Sequence, residues 1–183
     1  MALPVARSED EAQLYLDLHP CERCQAADTD WQTALSQDDG APVRRYHGVC
    51  RRCQAAREFI FRLPERPTLP GDDDLVFLGG PEPSQLFDAG EWRLISDAGI
   101  REGGAPPDTG SVTERRHAFA LGVAALAEVL KFIPDDGDEV PDSAFWTPHG
   151  RAAYEQKPAR FTREYLERWL DDFQDEFEAR FRD

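Results

Sequence analysis

The sequence lacks any apolar run long enough to cross a bilayer, and its opening residues lack the pattern of a secretory signal. These two absences predict a cytoplasmic protein that makes no membrane contact. Common catalytic motifs are missing as well: there is no phosphate loop, no Gly-x-Gly-x-x-Gly, no Gly-x-Ser-x-Gly and no His-Glu-x-x-His. The four histidines are scattered, and none stands in a recognisable nucleophile–base arrangement. We therefore expect a protein without catalytic activity.

Cysteine is also scarce, but its four positions are ordered. Cys21 and Cys24 form one Cys-x-x-Cys pair, Cys50 and Cys53 form another, and 25 residues separate the pairs. Each pair can direct two thiolates at one ion, and zinc takes four thiolates in a tetrahedron. The separation exceeds the common range of about 15–20 residues, which predicts a long hairpin between the pairs. We predict one structural Zn²⁺ held by all four cysteines.

Three other interpretations of the cysteines stay open. His19 or His47, which lie near the pairs, could replace one thiolate as a ligand. A thioredoxin-like redox pair would require one Cys-x-x-Cys at the start of a helix, after a buried strand. A disulfide framework conflicts with the absence of a secretory signal. A closed four-cysteine zinc site agrees best with the spacing.

The residues around the cysteines predict antiparallel strands. Residues 31–47 contain the turn signal Asp39-Gly40 between two extended runs, which is typical of a hairpin. In residues 57–63, Phe59, Phe61 and Leu63 form an apolar face of period two, interrupted by Ile60, and predict a further strand. A strand that enters the first cysteine pair is predicted by a period of two in Leu14, Leu16 and Leu18.

With its two cysteine pairs and predicted strands, the stretch 14–66 resembles a zinc ribbon. The matching positions are the four cysteines. Gln25 and Gln54 depart from the ribbon pattern, because a glycine usually follows each pair. The resemblance implies a small antiparallel β-module organised around one metal ion.

A proline-rich and acidic stretch at 63–74 predicts a linker between two modules. We expect a zinc-ribbon module over residues 1–66 and an acidic, mainly α-helical module over residues 67–183. The fold class is therefore α+β. A short apolar strand is predicted at 75–80, directly after the linker.

The best supported helix of the second half begins with a capping box, in which Ser111 precedes Glu114 by three residues. The run that follows is nearly all apolar and ends at Pro134, so it predicts the core of the second module. Further helices are predicted to begin at Ser84 and Thr147, and the last helix is predicted over 161–181.

Aromatic residues recur at every fourth position of the last helix. They are Phe161, Tyr165, Trp169, Phe173, Phe177 and Phe181. A stripe of this kind normally packs against another helix, here the apolar one. Because the stripe is longer than one helix contact requires, Trp169, Phe173 and Phe177 are also candidates for a surface that faces a partner.

Charge is distributed unevenly along the chain, whose net charge is −15. Residues 1–70 hold 9 basic and 11 acidic side chains, and residues 71–183 hold 12 basic and 25 acidic ones. An acidic protein is a poor general ligand for nucleic acid, because binding depends on phosphate contacts. A local basic patch is nevertheless predicted around the second cysteine pair, formed by Arg44, Arg45, Arg51, Arg52 and Arg57.

Three functions are compatible with these features. The first is a non-catalytic zinc-binding module for protein interaction, such as an acidic inhibitor or immunity-type protein that blocks a basic enzyme by charge complementarity. The second is a nucleic-acid-associated regulator that uses the arginines of the second cysteine pair. The third is an enzyme whose pocket has no recognisable motif. We expect the first, with a protein partner and zinc as its cofactor.

Overall fold

The computed structural model describes residues 3–71, 74–106 and 110–181. Its three strands are β1 (Thr29–Asp38), β2 (Ala41–Cys50) and β3 (Ala56–Arg62), which form one antiparallel sheet in that order. Its five α-helices are α1 (Glu9–Leu18), α2 (Ala89–Gly103), α3 (Val112–Leu130), α4 (Pro148–Gln156) and α5 (Arg163–Phe181). The predicted α+β class is therefore confirmed, with the strands in the N-terminal part and four of these helices after them.

The chain divides into two compact units. Unit 1 comprises Met1–Pro70 and Ser84–Leu86, and unit 2 comprises Gly71–Pro83 and Phe87–Asp183. With 9 basic and 11 acidic side chains unit 1 has a net charge of −2, whereas unit 2, with 12 and 25, has −13. The predicted module boundary between residues 66 and 67 stays a prediction.

The hairpin of unit 1 turns where the sequence predicts it. Asp39 and Gly40 join β1 to β2 with φ angles of 48° and 80°, which identify a two-residue turn of type I′. Pairing then runs without a break from Asp38 opposite Ala41 to Thr29 opposite Cys50. The hairpin therefore carries the end of β2 directly to the second cysteine pair.

Helix α1 corrects the strand that was predicted from Leu14, Leu16 and Leu18. The hydroxyl of Ser8 accepts a hydrogen bond from the Glu11 N–H at 3.0 Å and caps the helix. Three acidic residues in the first turn add to this, since they interact favourably with the helix dipole. The helical spacing buries Leu16 and leaves Leu18 exposed, so the period of two in the leucines did not reflect a strand.

A buried ion pair anchors the start of α1. The carboxylate of Glu11 is fully buried and accepts hydrogen bonds from the Arg7 guanidinium at 2.7 Å and from the Ser84 hydroxyl at 2.7 Å. Ser84 is therefore part of unit 1 and does not cap a helix, contrary to the prediction. Helix α2 begins at Ala89 and is capped by Asp88, which forms a capping box with Glu91.

In unit 2, helices α2 and α3 pack closely at glycines. A Cβ on Gly99 would lie 2.8 Å from the Cα of Gly122, so only glycine permits this approach. The predicted capping box of Ser111 and Glu114 is confirmed at the start of α3. Residues 75–80, which were predicted as a strand, form none. Within the described ranges, no helix combines the length and the apolar character that a membrane span requires.

The start of α4 is joined to the start of α2 by one carboxylate. Asp88 is fully buried; its Oδ1 accepts from the Glu91 N–H at 2.8 Å, and its Oδ2 accepts from the Thr147 N–H at 2.7 Å and hydroxyl at 2.8 Å. Thr147 in turn caps α4, as predicted. The side chain of Asp88 thus links the starts of two helices.

Helix α5 places its aromatic stripe on α3. The ring of Phe119, which is fully buried, has its centroid 6.3 Å from that of Phe173, 6.1 Å from Phe177 and 6.0 Å from Phe181. The ring of Trp169 lies tilted beside that of Phe173, with the centroids 5.2 Å apart. Much of the stripe therefore contributes to the core of unit 2.

Candidate metal centre

Both cysteine pairs lie in turns with the same backbone hydrogen bonds. The first turn follows α1, and the second connects β2 to β3. In the first, the Cys21 N–H donates to the Ala26 carbonyl at 2.9 Å; in the second, the Cys50 N–H donates to the Ala55 carbonyl at 2.9 Å. The two halves of the site are therefore built in the same way, although they come from different parts of unit 1.

Each turn contains a glutamine in a conformation that favours glycine. Gln25 and Gln54 both have a φ of 59°, and their N–H groups donate to the carbonyls of Cys21 and Cys50 at 2.7 and 2.9 Å. A left-handed conformation costs a residue other than glycine about 1–2 kcal/mol. The backbone thus adopts the turn that glycine usually permits, even though glycine is absent.

The four sulfur atoms converge within 4.8 Å of one another. The Sγ of Cys21 lies 3.6 Å from that of Cys53, and the Sγ of Cys24 lies 3.5 Å from that of Cys50. A regular tetrahedron with Zn–S distances of about 2.3 Å has S–S edges of about 3.8 Å, whereas a disulfide bond measures about 2.05 Å. The arrangement fits four ligands of one metal ion, and all four cysteines are free of disulfides.

Electrostatics at the sulfurs also favour a cation. The backbone N–H of Cys53 holds the pKa of the Cys50 thiol at about 6, against the effect of burial. The backbone N–H of Ala26 lowers the pKa of Cys24, but burial and the three neighbouring sulfurs outweigh it and raise that pKa to about 12. Four thiolates repel one another at this distance, and a bound metal ion removes the repulsion by displacing the remaining protons.

Arg51 ties the second turn to the strand that follows the first. Its backbone N–H donates to the Asp28 carbonyl at 3.1 Å, and its guanidinium forms an ion pair with Asp30. The side-chain hydrogen bond from Arg51 holds the pKa of Asp30 below its usual value. Sequence analysis identified Arg51 but missed both aspartates, because only the hairpin register brings them together.

Arg57 makes a second connection on the other side of the site. It donates to the Thr29 hydroxyl at 2.7 Å and to the His19 carbonyl, and its guanidinium lies 4.7 Å from the centroid of the Trp31 ring. These contacts join the end of α1, the start of β1 and β3. Arg57 therefore helps to hold the two cysteine turns at a fixed separation.

The remaining arginines of the predicted basic patch differ in their surroundings. Arg44 lies 3.2 Å from Glu9, and Arg45 lies 2.6 Å from Glu58. Arg52 is exposed and forms no ion pair in the part of the chain that is described. Four of the five arginines are thus engaged by acidic, polar or aromatic groups, and the use of the patch as a binding surface stays a prediction.

Histidine does not enter the sulfur cluster. The Nδ1 of His19 donates to the Tyr15 carbonyl at 2.7 Å, and its ring stacks on the Tyr15 ring at 3.7 Å. His47 is exposed on β2. Among the described residues, the four cysteines are the only group of three or more potential ligands that converges on one point. Neither cysteine pair opens a helix, so the context of a thioredoxin-like redox site is absent from these residues.

A groove of about 560 Å³ lies beside the first cysteine turn. Its wall includes His19, Glu22 and Glu58, the types of side chain that an enzyme could use. These three do not converge as a group, and Glu58 is engaged by Arg45. The groove therefore offers no assembled catalytic constellation.

The aromatic residues that were predicted to face a partner are half-buried in α5. Phe173 and Phe177 contact Phe119, and Trp169 lies next to Phe173. Their role in binding a partner stays a prediction.

Comparisons with known proteins give no further guidance: no protein-family model matches this chain, and neither a curated protein nor a solved structure is significantly similar to it. Function must therefore be argued from the geometry and chemistry of the site itself.

Proposed function

We propose that the chain is a non-catalytic protein-interaction module whose N-terminal unit is a zinc ribbon with one structural Zn²⁺. The observation that carries this proposal is the convergence of the four sulfurs within 4.8 Å, on two turns of equal geometry. A tetrahedral zinc ion with four protein ligands keeps no position open for water or substrate, which is typical of structural rather than catalytic sites.

Zinc is the ion that this set of ligands favours. Four thiolates in a tetrahedron select zinc or iron, because both accept soft sulfur ligands. Zinc in addition has no redox chemistry and supplies folding free energy outright in small domains. Unit 1 needs that contribution, because few side chains cover β1: eight of its ten residues are exposed.

The acidic character of unit 2 supports a basic protein as the partner. Three exposed carboxylates of α5, from Glu164, Asp171 and Asp175, form no ion pair with any described residue. They stand at helical spacings of seven and four, so they share one face. Unpaired like charges on one face raise the rate and specificity with which a protein of opposite charge associates.

The alternative of a nucleic-acid regulator is less well supported. Arg44, Arg45 and Arg51 already have carboxylate partners within unit 1, so few free cations are available for phosphate. A gel-shift experiment at low salt tests the alternative directly. We expect no binding, and binding that weakens in the variants Arg51→Ala and Arg52→Ala would favour the regulator instead.

Metal content is the first test of the proposal. Elemental analysis of the purified chain should find about one equivalent of zinc, and Co²⁺ substitution should give the absorption of a tetrahedral tetrathiolate site. The variant Cys50→Ser should lose most of the metal, while His47→Ala should keep it. Well under one equivalent of any metal in the folded protein would contradict the proposal.

A second test addresses the acidic face. Proteins captured from the native host at low salt should include a basic protein that is released as the salt concentration rises. Replacing Glu164, Asp171 and Asp175 by lysine should abolish that binding. A control with the same change in net charge replaces Asp17, Glu22 and Glu65 of unit 1 by lysine and should bind almost normally. Equal loss in both variants would refute a specific role for α5.

A further inference from the structure

Strand β1 forms an open edge of the sheet in unit 1. It pairs with β2 on one side only, and no other described backbone group pairs with its opposite side. The outer edge of β3 is different, because residues 4–6 bond to Arg62 there: its N–H donates to the Pro4 carbonyl at 2.9 Å. An open edge presents a row of unsatisfied donors and acceptors to any extended chain.

The register identifies which groups face outward. In a two-residue hairpin the residues that flank the turn, here Asp38 and Ala41, form a hydrogen-bonded pair, and such pairs recur at every second position. The Arg51 N–H donates to the carbonyl of Asp28, which is also an even-numbered residue, as this pattern requires. The backbone groups of the odd residues therefore point away from β2, and these are Thr29, Trp31, Thr33, Leu35 and Gln37.

This edge lacks several of the features by which proteins usually prevent pairing. Its ten residues contain no proline and no basic residue, and the one-to-one register leaves no bulge. The side chains of the odd residues Trp31, Thr33 and Leu35 lie on one common face of the sheet, and Leu35 is 70% exposed. An added strand would thus find both backbone partners and apolar side-chain contacts.

A second copy of the chain is a poor occupant of the edge. Two β1 strands could pair antiparallel through their odd residues, and the two registers with the greatest overlap place Asp38 of one copy directly opposite Asp30 or Asp28 of the other. These positions form non-hydrogen-bonded pairs, in which side chains approach most closely. Like charges directly opposite each other destabilise a sheet, so self-pairing is disfavoured.

The same aspartates favour a basic occupant. Asp30 and Asp38 stand eight residues apart on one face of β1. On the neighbouring strand, Arg44 and Arg45 are engaged by Glu9 and Glu58. Asp30 shares its carboxylate with Arg51, so the free negative charge of β1 lies mainly at Asp38. Asp38 itself forms no ion pair with a described residue. Opposite-charge pairs across neighbouring strands stabilise the pairing.

We propose that β1 receives an extended, basic segment of the partner protein as a fourth, antiparallel strand. The segment carries lysine or arginine at two positions eight residues apart, opposite Asp38 and Asp30, and small apolar residues opposite Trp31, Thr33 and Leu35. This inference rests on the proposed interaction function and identifies a surface for it in unit 1.

The probe is a blocked peptide of sequence Thr-Lys-Val-Thr-Val-Thr-Val-Thr-Val-Lys-Thr, added to the zinc-loaded full chain. Amide hydrogen exchange followed by NMR should show new protection of Trp31, Thr33 and Leu35. The N–H groups of Gln32 and Ala34 already bond to β2 and should change little. A peptide with glutamate in place of both lysines should bind at least about tenfold more weakly, since it opposes the two aspartates.

Two variants make the test specific. Thr33→Pro removes one outward N–H without breaking a bond to β2, so it should abolish peptide binding while the zinc content stays the same. Asp38→Lys should reverse the preference at one end only: it should favour a peptide whose first lysine is replaced by glutamate. In a parallel arrangement the preference would reverse at the other lysine, which would contradict the antiparallel assignment.

Three results would overturn the proposal. They are unchanged protection of the odd amides at about 1 mM peptide, equal binding of the lysine and glutamate peptides, and self-association of the chain through β1. Zinc content and the salt-sensitive binding of α5 are measured separately. A zinc-loaded chain that ignores the peptide would therefore refute only the added strand, whereas loss of zinc binding would refute the proposed function.

Discussion

The two units differ in what fills their centres. The largest side chains that are fully buried in unit 2 are apolar, with the one exception of Asp88, and include Trp92, Phe87, Phe119, Phe161, Leu126 and Leu166. The largest in unit 1, among the residues that the structure describes, are Leu16, Val43, the charged Glu11 and the metal-ligand candidate Cys21. We therefore expect apolar burial to stabilise unit 2, and the sulfur cluster and the buried ion pair to contribute more to unit 1, which also buries Tyr46 and Phe61.

This difference explains why the sulfur cluster matters to the fold. A domain as small as unit 1 buries too small a fraction of its surface to be more than marginally stable by burial alone. A metal ion held by the four cysteines would connect the end of α1 to the β2–β3 turn, which are far apart in sequence. If the comparison is right, each unit should respond to a different perturbation.

Metal removal should have the largest effect, and it should be confined to unit 1. A structural zinc contributes an apparent binding free energy of about 10–16 kcal/mol at neutral pH in small domains. A strong chelator should therefore abolish hydrogen-exchange protection in β1–β3 and leave α2 and α3 protected. Acid should act in the same direction, because protons compete with the metal for thiolates. Protection of β2 that persists in the metal-free chain would contradict the dependence on metal.

Phe119→Ala should produce the opposite pattern. Phe119 is fully buried on α3 and contacts Phe173, Phe177 and Phe181 of α5. Truncation of such a ring typically costs about 3–5 kcal/mol. We expect the denaturation midpoint of unit 2 to fall while zinc affinity stays the same. Val112→Ala, at an exposed position of the same helix, serves as the control.

The sequence predicted best where the signal was local. The turn at Asp39-Gly40 and the capping box of Ser111 and Glu114 need only neighbouring residues, and the structure confirms both. The convergence of four sulfurs was also predictable, because the cysteine spacing alone indicates it.

Errors arose where two local signals competed. Ser8 and Glu11 have the spacing of a capping box, a signal that the sequence analysis did not use, and the leucines at 14, 16 and 18 were predicted as a strand instead of the end of α1. Ser84 resembles a helix cap, but its hydroxyl bonds to Glu11, 73 residues away in the sequence. No local pattern reveals such a partner. The same applies to Asp88, whose bonds to Thr147 appear only in the folded unit.

Asp88→Asn should have the third largest effect. The amide retains an acceptor for the Glu91 N–H, but its NH₂ group faces the donors of Thr147 and leaves them without an acceptor. Hydrogen bonds to a charged group contribute about 1.5–3 kcal/mol, so we expect a loss of about 2–3 kcal/mol in unit 2. Ser111→Ala removes an exposed cap and should cost only about 1 kcal/mol. Equal losses measured by denaturant unfolding would show that burial does not strengthen the Asp88 cap.

The smallest effects should come from the two glutamines, and of these only Gln25→Gly should stabilise unit 1. Glycine at position 25 would relieve the cost of a φ of 59°. Glycine also makes the unfolded chain more flexible, and this lowers the stability of the folded state by about 0.5–1 kcal/mol. We therefore expect Gln25→Gly to raise the stability of zinc-loaded unit 1 by up to about 1 kcal/mol.

Gln54→Gly provides the matched comparison, because Gln54 has the same φ as Gln25 but its side chain makes a shorter hydrogen bond. The Nε2 of Gln54 donates to the Arg51 carbonyl at 3.1 Å, whereas that of Gln25 makes only a longer contact of 3.3 Å with the Glu22 carbonyl. The loss of the shorter hydrogen bond, about 0.5–1.5 kcal/mol, should cancel the relief of strain. Denaturant unfolding monitored in β2 measures both variants. If Gln54→Gly proves the more stabilising, the side-chain hydrogen bond of Gln54 does not offset the strain of its turn.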